Sequence, residues 1–251
     1  MTGRQAFNHD MQQSKARAVG MAGESSAAPL TYSITISLDN QTLHELIQGG
    51  YTLYGCKAVY GSTLDGAPLV WFESRSFAVQ TEVAWTASYE AYTSTSTVRS
   101  GRRIFPSFSQ PIEPGQTLEI TGSYGGGYVS AQGQAGAVAI FNQTAQQFSC
   151  GIAEPNSLDG VARPTSVFVT YGRMQVTIRP LEQLLLMFAP VAVAPGTVVE
   201  KTLAAGLLVD MAGEQRRSIA YSIGSGWAWD GGDWARAIPA GANTVPLLIS
   251  N

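Results

Sequence analysis

Few residues in this 251-residue chain are of a type that does acid–base, nucleophilic or metal chemistry. There are two histidines, His9 and His44, and two cysteines, Cys56 and Cys150. A Ser-His-Asp or Cys-His device would have to use His44, and no nucleophile-elbow motif surrounds any serine. No HExxH, CxxC or histidine cluster offers a metal site. The Gly-rich GSYGGGYVSAQGQAG (122–136) is not followed by a helix or a lysine, so it is no phosphate loop. Glu73, Glu82 and Glu90 fall on one strand-like run and could supply a glycosidase pair, which has no fixed spacing. Solvated surface carboxylates are the commoner explanation. The expectation is a protein without catalytic residues, metal or cofactor, and not an enzyme.

Binding chemistry is denser. The stretch GWAWDGGDWAR (226–236) holds three of the five tryptophans. Gly-Gly between two strand-like pieces reads as a two-residue primed turn, where positive φ is needed. Centring it on Gly231 and Gly232 opposes Asp230 to Asp233, Trp229 to Trp234 and Trp227 to Arg236. The three indoles then share one face with the Arg236 guanidinium beside them, a cation–π arrangement. The candidate ligand-binding residues are therefore Trp227, Trp229, Trp234 and Arg236. A core plug is the competing reading, because Ile219, Tyr221 and Ile223 share the parity of Trp227 and Trp229. The expectation is a buried base at Ile219, Tyr221 and Ile223, with partly exposed indoles at the tip. The two aspartates lack the six or more oxygens of a calcium site and read as solvated turn carboxylates.

The elements that must position these residues are strands. Tyr32, Ile34, Ile36 and Leu38 alternate with Ser33, Thr35, Ser37 and Asp39, the pattern of a half-buried strand. Further strand-like runs cover 51–60, 69–98, 116–121, 137–142, 166–171, 174–179, 184–193, 197–210 and 217–229. Turn residues punctuate them: GG at 49–50, LDGAP at 64–68, EPGQ at 113–116 and APG at 194–196. Helical signal is limited to LHELIQ (43–48), LEQLL (181–185) and part of the N-terminus. The run 77–98 alternates for 22 residues, so it is one long bent strand or two strands meeting at a concealed turn. LLLMFAPVAV (184–193) is apolar on both parities, which implies cover on both faces.

The second half echoes the first. NQT precedes a cysteine at 40–56 and at 142–150, and LVWFESRSFAVQTEVAWT (69–86) aligns without a gap on LLMFAPVAVAPGTVVEKT (185–202). Arg-Arg pairs follow at 102–103 and 216–217. The sequence thus predicts an all-β, antiparallel β-sandwich, with a barrel as the alternative. It is built from two duplicated halves of about 100 residues with little helix. A polar arm (1–30) precedes the 31–251 β-sandwich domain, whose repeats (31–121 and 137–251) are joined by Gly-rich 122–136. The tryptophan segment is an insertion in the second copy alone. The cysteines read as small core residues at equivalent places, with a Cys56–Cys150 disulfide possible only about a pseudo-twofold.

Composition bounds the partners. Charged residues make up 13% and the net charge is -3, so no basic field draws in nucleic acid. Lysine occurs only at 15, 57 and 201, while arginine occurs twelve times, the bias found where proteins touch one another. The N-terminus has no apolar signal-peptide region, and no run is long enough to span a bilayer as a helix. Cytoplasmic synthesis is expected, with release from the cell left open. The functional expectation is a non-enzymatic module, lectin-like or cytolysin- and toxin-like, that docks on a glycan or a membrane surface through exposed aromatics. Within it, 77–98 is a candidate membrane-inserting hairpin. The alternative is a self-assembling structural subunit of a fibre, shell or inclusion, a homo-oligomer joined through its arm.

Overall fold

The computed structural model describes residues 30–63 and 65–251. The polar arm, with its expected part in subunit contacts, lies outside the described residues apart from Leu30. In chain order the first half contains β1 (Thr31–Leu38), α1 (Asn40–Gln48), β2 (Thr52–Gly61), β3 (Ala67–Pro68), β4 (Phe72–Ser74), β5 (Gln80–Thr86), β6 (Tyr89–Ser94), β7 (Phe108–Ile112), β8 (Thr117–Ile120) and β9 (Gly127–Ser130). The second contains β10 (Val138–Asn142), β11 (Phe148–Glu154), β12 (Arg163–Pro164), β13 (Ser166–Thr170), β14 (Gln175–Ala189), β15 (Gly206–Asp210), β16 (Arg216–Ser222), β17 (Gly226–Ala228), β18 (Ala235–Ile238), α2 (Val245–Leu248) and β19 (Ile249–Ser250).

The protein is all-β, as the alternation requires, with half its residues in strands and 6% in helix. Three sheets form. One runs β17-β16-β1-β5; a nine-stranded sheet contains β18-β15-β14-β10-β8-β9 with β2, β4 and β19; a six-stranded sheet contains β3-β13-β11-β6-β7 with β12. The nine-stranded sheet curls as a half-barrel, giving a sandwich-like, barrel-like architecture. Pairing is not wholly antiparallel. β1 runs parallel to β16, β8 to β10 and β2 to β19.

The largest core cluster lies between the four-stranded sheet and one face of the half-barrel. Ile34, Ile36, Val83, Trp85 and Ile219 meet Leu184, Leu186, Phe188, Leu207 and Val209 there. Leu185, Met187 and Ala189 point the other way and pack with Tyr54, Cys56, Val70 and Leu208. The double-parity apolar run is thus covered on both faces, as expected. A second cluster joins the six-stranded sheet to the other end of the half-barrel, through Ile152, Phe168, Leu118, Ile140 and Ile178.

Several local expectations need correction. LEQLL is not helical; it is the middle of β14. Opposite β2 the register slips there, from Pro180↔Val59 to Leu184↔Lys57, so Leu181, Glu182 and Gln183 bulge past Ala58. Proline, with no N–H to donate, sits naturally at the start of such a bulge. The run 77–98 holds two strands that part at Ala87–Ser88. β5 pairs with β1, while β6 pairs with β11 and β7, so the two form no hairpin with each other. In one aligned stretch the two halves also differ in structure. Gln80–Thr86 is a strand, whereas the aligned 196–202 is a loop with isolated bridges at Thr197, Val198 and Lys201. The duplication is therefore not shown.

Candidate functional site

The aromatic segment 226–236 is not one hairpin. β17 pairs back onto β16 through Ala220↔Ala228 and Tyr221↔Trp227, so the tight turn lies at Ile223–Ser225. β18 joins the half-barrel beside β15. Residues Trp229–Trp234 are therefore a crossover between sheets, and Asp230 does not oppose Asp233 across a turn. Gly231 does take positive φ, 87°, and a Cβ on Gly232 would strike the Trp234 ring at 2.5 Å. The glycines are needed, but for a loop wrapped on an indole rather than a primed turn.

All three indoles are partly exposed, and all three pack on the core beneath the four-stranded sheet. Trp227 stacks on Phe188 at 5.5 Å and meets Tyr221 at 4.8 Å. Trp229 Nε1 donates to the Gly232 carbonyl at 2.9 Å, and Trp234 Nε1 donates to Asp230 Oδ1 at 2.8 Å. The Asp230 carboxylate also accepts the Gly232 N–H. It is a loop brace rather than half of an ion site, and no acidic or histidine cluster among the described residues could hold a metal. The guanidinium over an indole belongs to Arg217, 4.6 Å from Trp234. Arg236 was placed there by the hairpin register; it instead faces solvent on β18 opposite Leu208. Of the expected base, Ile219 is buried while Tyr221 and Ile223 are partly exposed.

Beside Trp229 lies a shallow groove of about 310 Å³, lined by Ser37, Ser218, Ala220, Ala228, Trp229 and Asp230 among others. Its floor follows from strand alternation. With Ile34, Ile36, Val83 and Ile219 inward, the other parity faces out. Register then lays Ser37 between Gln80 and Ala220, Thr35 between Glu82 and Ser218, and Ser33 between Ala84 and Arg216. Near Trp229 the result is a floor of small hydroxyl and methyl groups, while Gln80, Glu82 and Arg216 supply the longer side chains of the face. At its far end a second depression, about 390 Å³, is bordered by Thr31, Glu82, Gln215 and Arg216. Trp229 and Asp230 mark one end of this face, Glu82 and Arg216 the other.

A second constellation was not anticipated. On the inner side of the same sheet, Lys57 of β2 is 2% exposed. Its Nζ lies 3.2 Å from Glu154 Oε2 of β11 and 3.1 Å from Glu182 Oε2 on the β14 bulge. The ammonium sits 4.6 Å from the Trp85 ring and 5.4 Å from Trp71. Trp85 Nε1 donates to Glu182 Oε2 at 3.1 Å, and the Tyr89 hydroxyl approaches Oε1 at 3.5 Å. Tyr32 stacks on Trp85 and closes the cluster from β1. Residues from all three sheets meet here. Burial pushes the Glu154 carboxyl up to about 7, against the pull of Lys57, and Glu182 pushes the same way. Glu154 Oε1 has no hydrogen-bond partner among the described residues. Burial likewise raises the hydroxyls of Tyr89 and Tyr32, with the two carboxylates adding to it.

The remaining candidates stay bland. Glu73 and Glu82 are exposed and Glu90 is partly so. Cys56 and Cys150 are free and buried in different sheets, with burial pushing both thiols up to about 12. Compared with protein-family models, curated proteins and solved structures, the chain shows no match to any of them.

Proposed function

We propose that this protein is a non-enzymatic glycan-binding module whose site is the outer face of the β17-β16-β1-β5 sheet. The observation that carries this reading is the groove beside Trp229. It combines an indole wall, the Asp230 carboxylate and the Ser37 and Ser218 hydroxyls on a small-residue floor. Sugar rings offer an apolar face for an indole and hydroxyls for carboxylate and serine partners. From Thr31 to Ser37 the floor runs about 20 Å at 3.3 Å per residue, room for several rings in a row. Trp229 is the stacking platform. Arg236 has no place on this face, and Trp227 and Trp234 support the platform from beneath and beside it.

A bilayer fits the same face less well. Asp230 and Asp233 flank the indoles, Glu82 stands at the far end, and the net charge is -3, all unfavourable against anionic headgroups. The test is a glycan array paired with liposome flotation, run on wild type, Trp229→Ala and Ser218→Arg. Both variants lose glycan binding by about tenfold or more, the scale of a lost stack or a blocked floor. Undiminished glycan binding in Trp229→Ala defeats the site. Binding to liposomes with no array hit replaces the glycan by a lipid surface.

A further inference from the structure

The Lys57 cluster has features that an ion pair alone does not require. A buried ion pair is stable when every remaining lone pair is satisfied, and here one oxygen of Glu154 is not. Three groups of complementary chemistry are held together. Glu154 is 1% exposed, and its carboxyl, raised to about 7, is present near neutrality in the neutral form that a nucleophile can attack. Lys57 holds its nitrogen 3.2 Å from Oε2 of that carboxyl, beside the carbon it would attack, and the two residues are held from two different sheets. Glu182 touches the same nitrogen at 3.1 Å and is itself oriented by the Trp85 indole. Its side chain is 19% exposed, so it is the one member of the triad that also reaches solvent. Trp71 and Trp85 exclude water from the nitrogen.

We propose that Lys57 and Glu154 join spontaneously through an amide bond across the sheet junction, with Glu182 as the proton acceptor that activates the amine. The Lys57 ammonium passes one proton to the Glu182 carboxylate. The freed lone pair attacks Cδ of the Glu154 carboxylic acid, making the N–C bond. The carbon–oxygen bond to the hydroxyl then breaks with its electron pair, and the hydroxyl leaves with a proton from the nitrogen as water. The products are one amide, one water and a protonated Glu182, which returns its proton to solvent through its exposed edge. Charge and atoms balance, and no oxidant or co-reactant enters. The buried ammonium and the unpartnered carboxyl oxygen are replaced by one neutral amide, and Glu182 is restored as a carboxylate. The reaction is independent of whatever the outer face binds.

The experiment is intact-mass spectrometry of the purified full chain, fresh and after incubation near neutral pH, followed by peptide mapping. The expected wild-type mass is short by one water, and the peptides containing Lys57 and Glu154 appear as one branched species. Lys57→Arg and Glu154→Gln give their full sequence masses. Glu182→Gln keeps both partners but removes the acceptor, and its joined fraction falls at least tenfold at matched times. Joining slows as pH rises above about 7, because ionised Glu154 resists attack. A folded wild-type chain that keeps its full mass overturns the proposal. So does a missing water that maps instead to an Asp-Gly site, of which there are three, at Asp65, Asp159 and Asp230.

Discussion

Two clusters of indole, carboxylate and cation lie along one four-stranded sheet, one at its partly exposed β16–β17 edge and one in the junction beneath it. At the edge, Arg217 stands 4.6 Å over Trp234, and Asp230 braces a solvated loop. On the inside, Lys57 stands 4.6 Å over Trp85 between two glutamates. The distances match and the chemistry is of one kind. Only the access of water differs. At the edge, Asp230 is solvated and Arg217 partly so, and they tune a surface at little energetic cost. Inside, each charge must find a partner or change protonation state, and the groups become reactive toward one another.

The largest effect that separates the two sides is loss of the inner cation. Relative to a chain whose Lys57 and Glu154 are not joined, Lys57→Met leaves Glu154 and Glu182 facing each other in the junction without their cation. Breaking a buried pair in this way costs about 3–5 kcal/mol. Urea unfolding monitored by tryptophan fluorescence measures it, and a cost under about 1 kcal/mol would make the inner cluster behave like a surface one.

The outer face was largely legible in the sequence, and the inner cluster was not. Alternation along 31–39 gives the inward and outward sets of β1 without any structure, and the partial exposure of the three indoles follows from their position past a glycine-bounded strand. Their register does not follow. Gly-Gly suits a primed turn, but whether β18 returns to β17 or crosses to β15 is decided by the apolar edge that β15 offers, a contact distant in sequence. The inner cluster depends on that kind of contact throughout. Lys57, Glu154 and Glu182 are scattered along the chain, and the β14 bulge that aims Glu182 looks locally like a helical turn. One signal was present. TLYGCKAVYG places a lysine in a strand whose neighbours are apolar or small on both parities, and a lysine with no wet face must have a buried anion.

The next effect is a pH dependence confined to the inner side. In a chain whose Lys57 and Glu154 are not joined, the unfolded Glu154 loses its proton near 4.5 and the folded one near 7. Between those values the unfolded state binds fewer protons, so stability is full below about 4.5 and falls as pH rises through about 7. At about 1.4 kcal/mol per pH unit the drop is on the order of 3 kcal/mol. Glu182→Gln, which blocks joining, keeps the leading cause, burial, and so keeps most of this slope. Glu154→Gln removes it. Unfolding midpoints at acid and mildly alkaline pH read the difference, and a Glu182→Gln chain that gains stability over that interval contradicts the burial assigned to Glu154.

A smaller contrast divides the outer indoles themselves. Trp227 stacks on Phe188 and Tyr221, so Trp227→Ala takes packing from the main core and costs about 2 kcal/mol. Trp229 spends its exposed part on the groove, and Trp229→Ala costs less stability while removing the ligand platform. Equal stability losses with equal effects on binding would mean that the two indoles are not divided into support and platform.

The smallest effect decides which arginine belongs to the aromatic face. Sequence register assigns Arg236, whereas the β16–β17 pairing gives the place to Arg217, because the parity that turns Ile219 and Tyr221 inward also carries Arg217 toward Trp234. An exposed cation–π contact is worth about 0.5–1 kcal/mol. Arg217→Ala should lose that much, and the loss should vanish when Trp234 is already replaced by leucine. Arg236→Ala, on an exposed strand position, should stay within about 0.5 kcal/mol of wild type in either background. A double-mutant cycle that couples Arg236 rather than Arg217 to Trp234 would restore the Gly-Gly hairpin and move the crossover elsewhere.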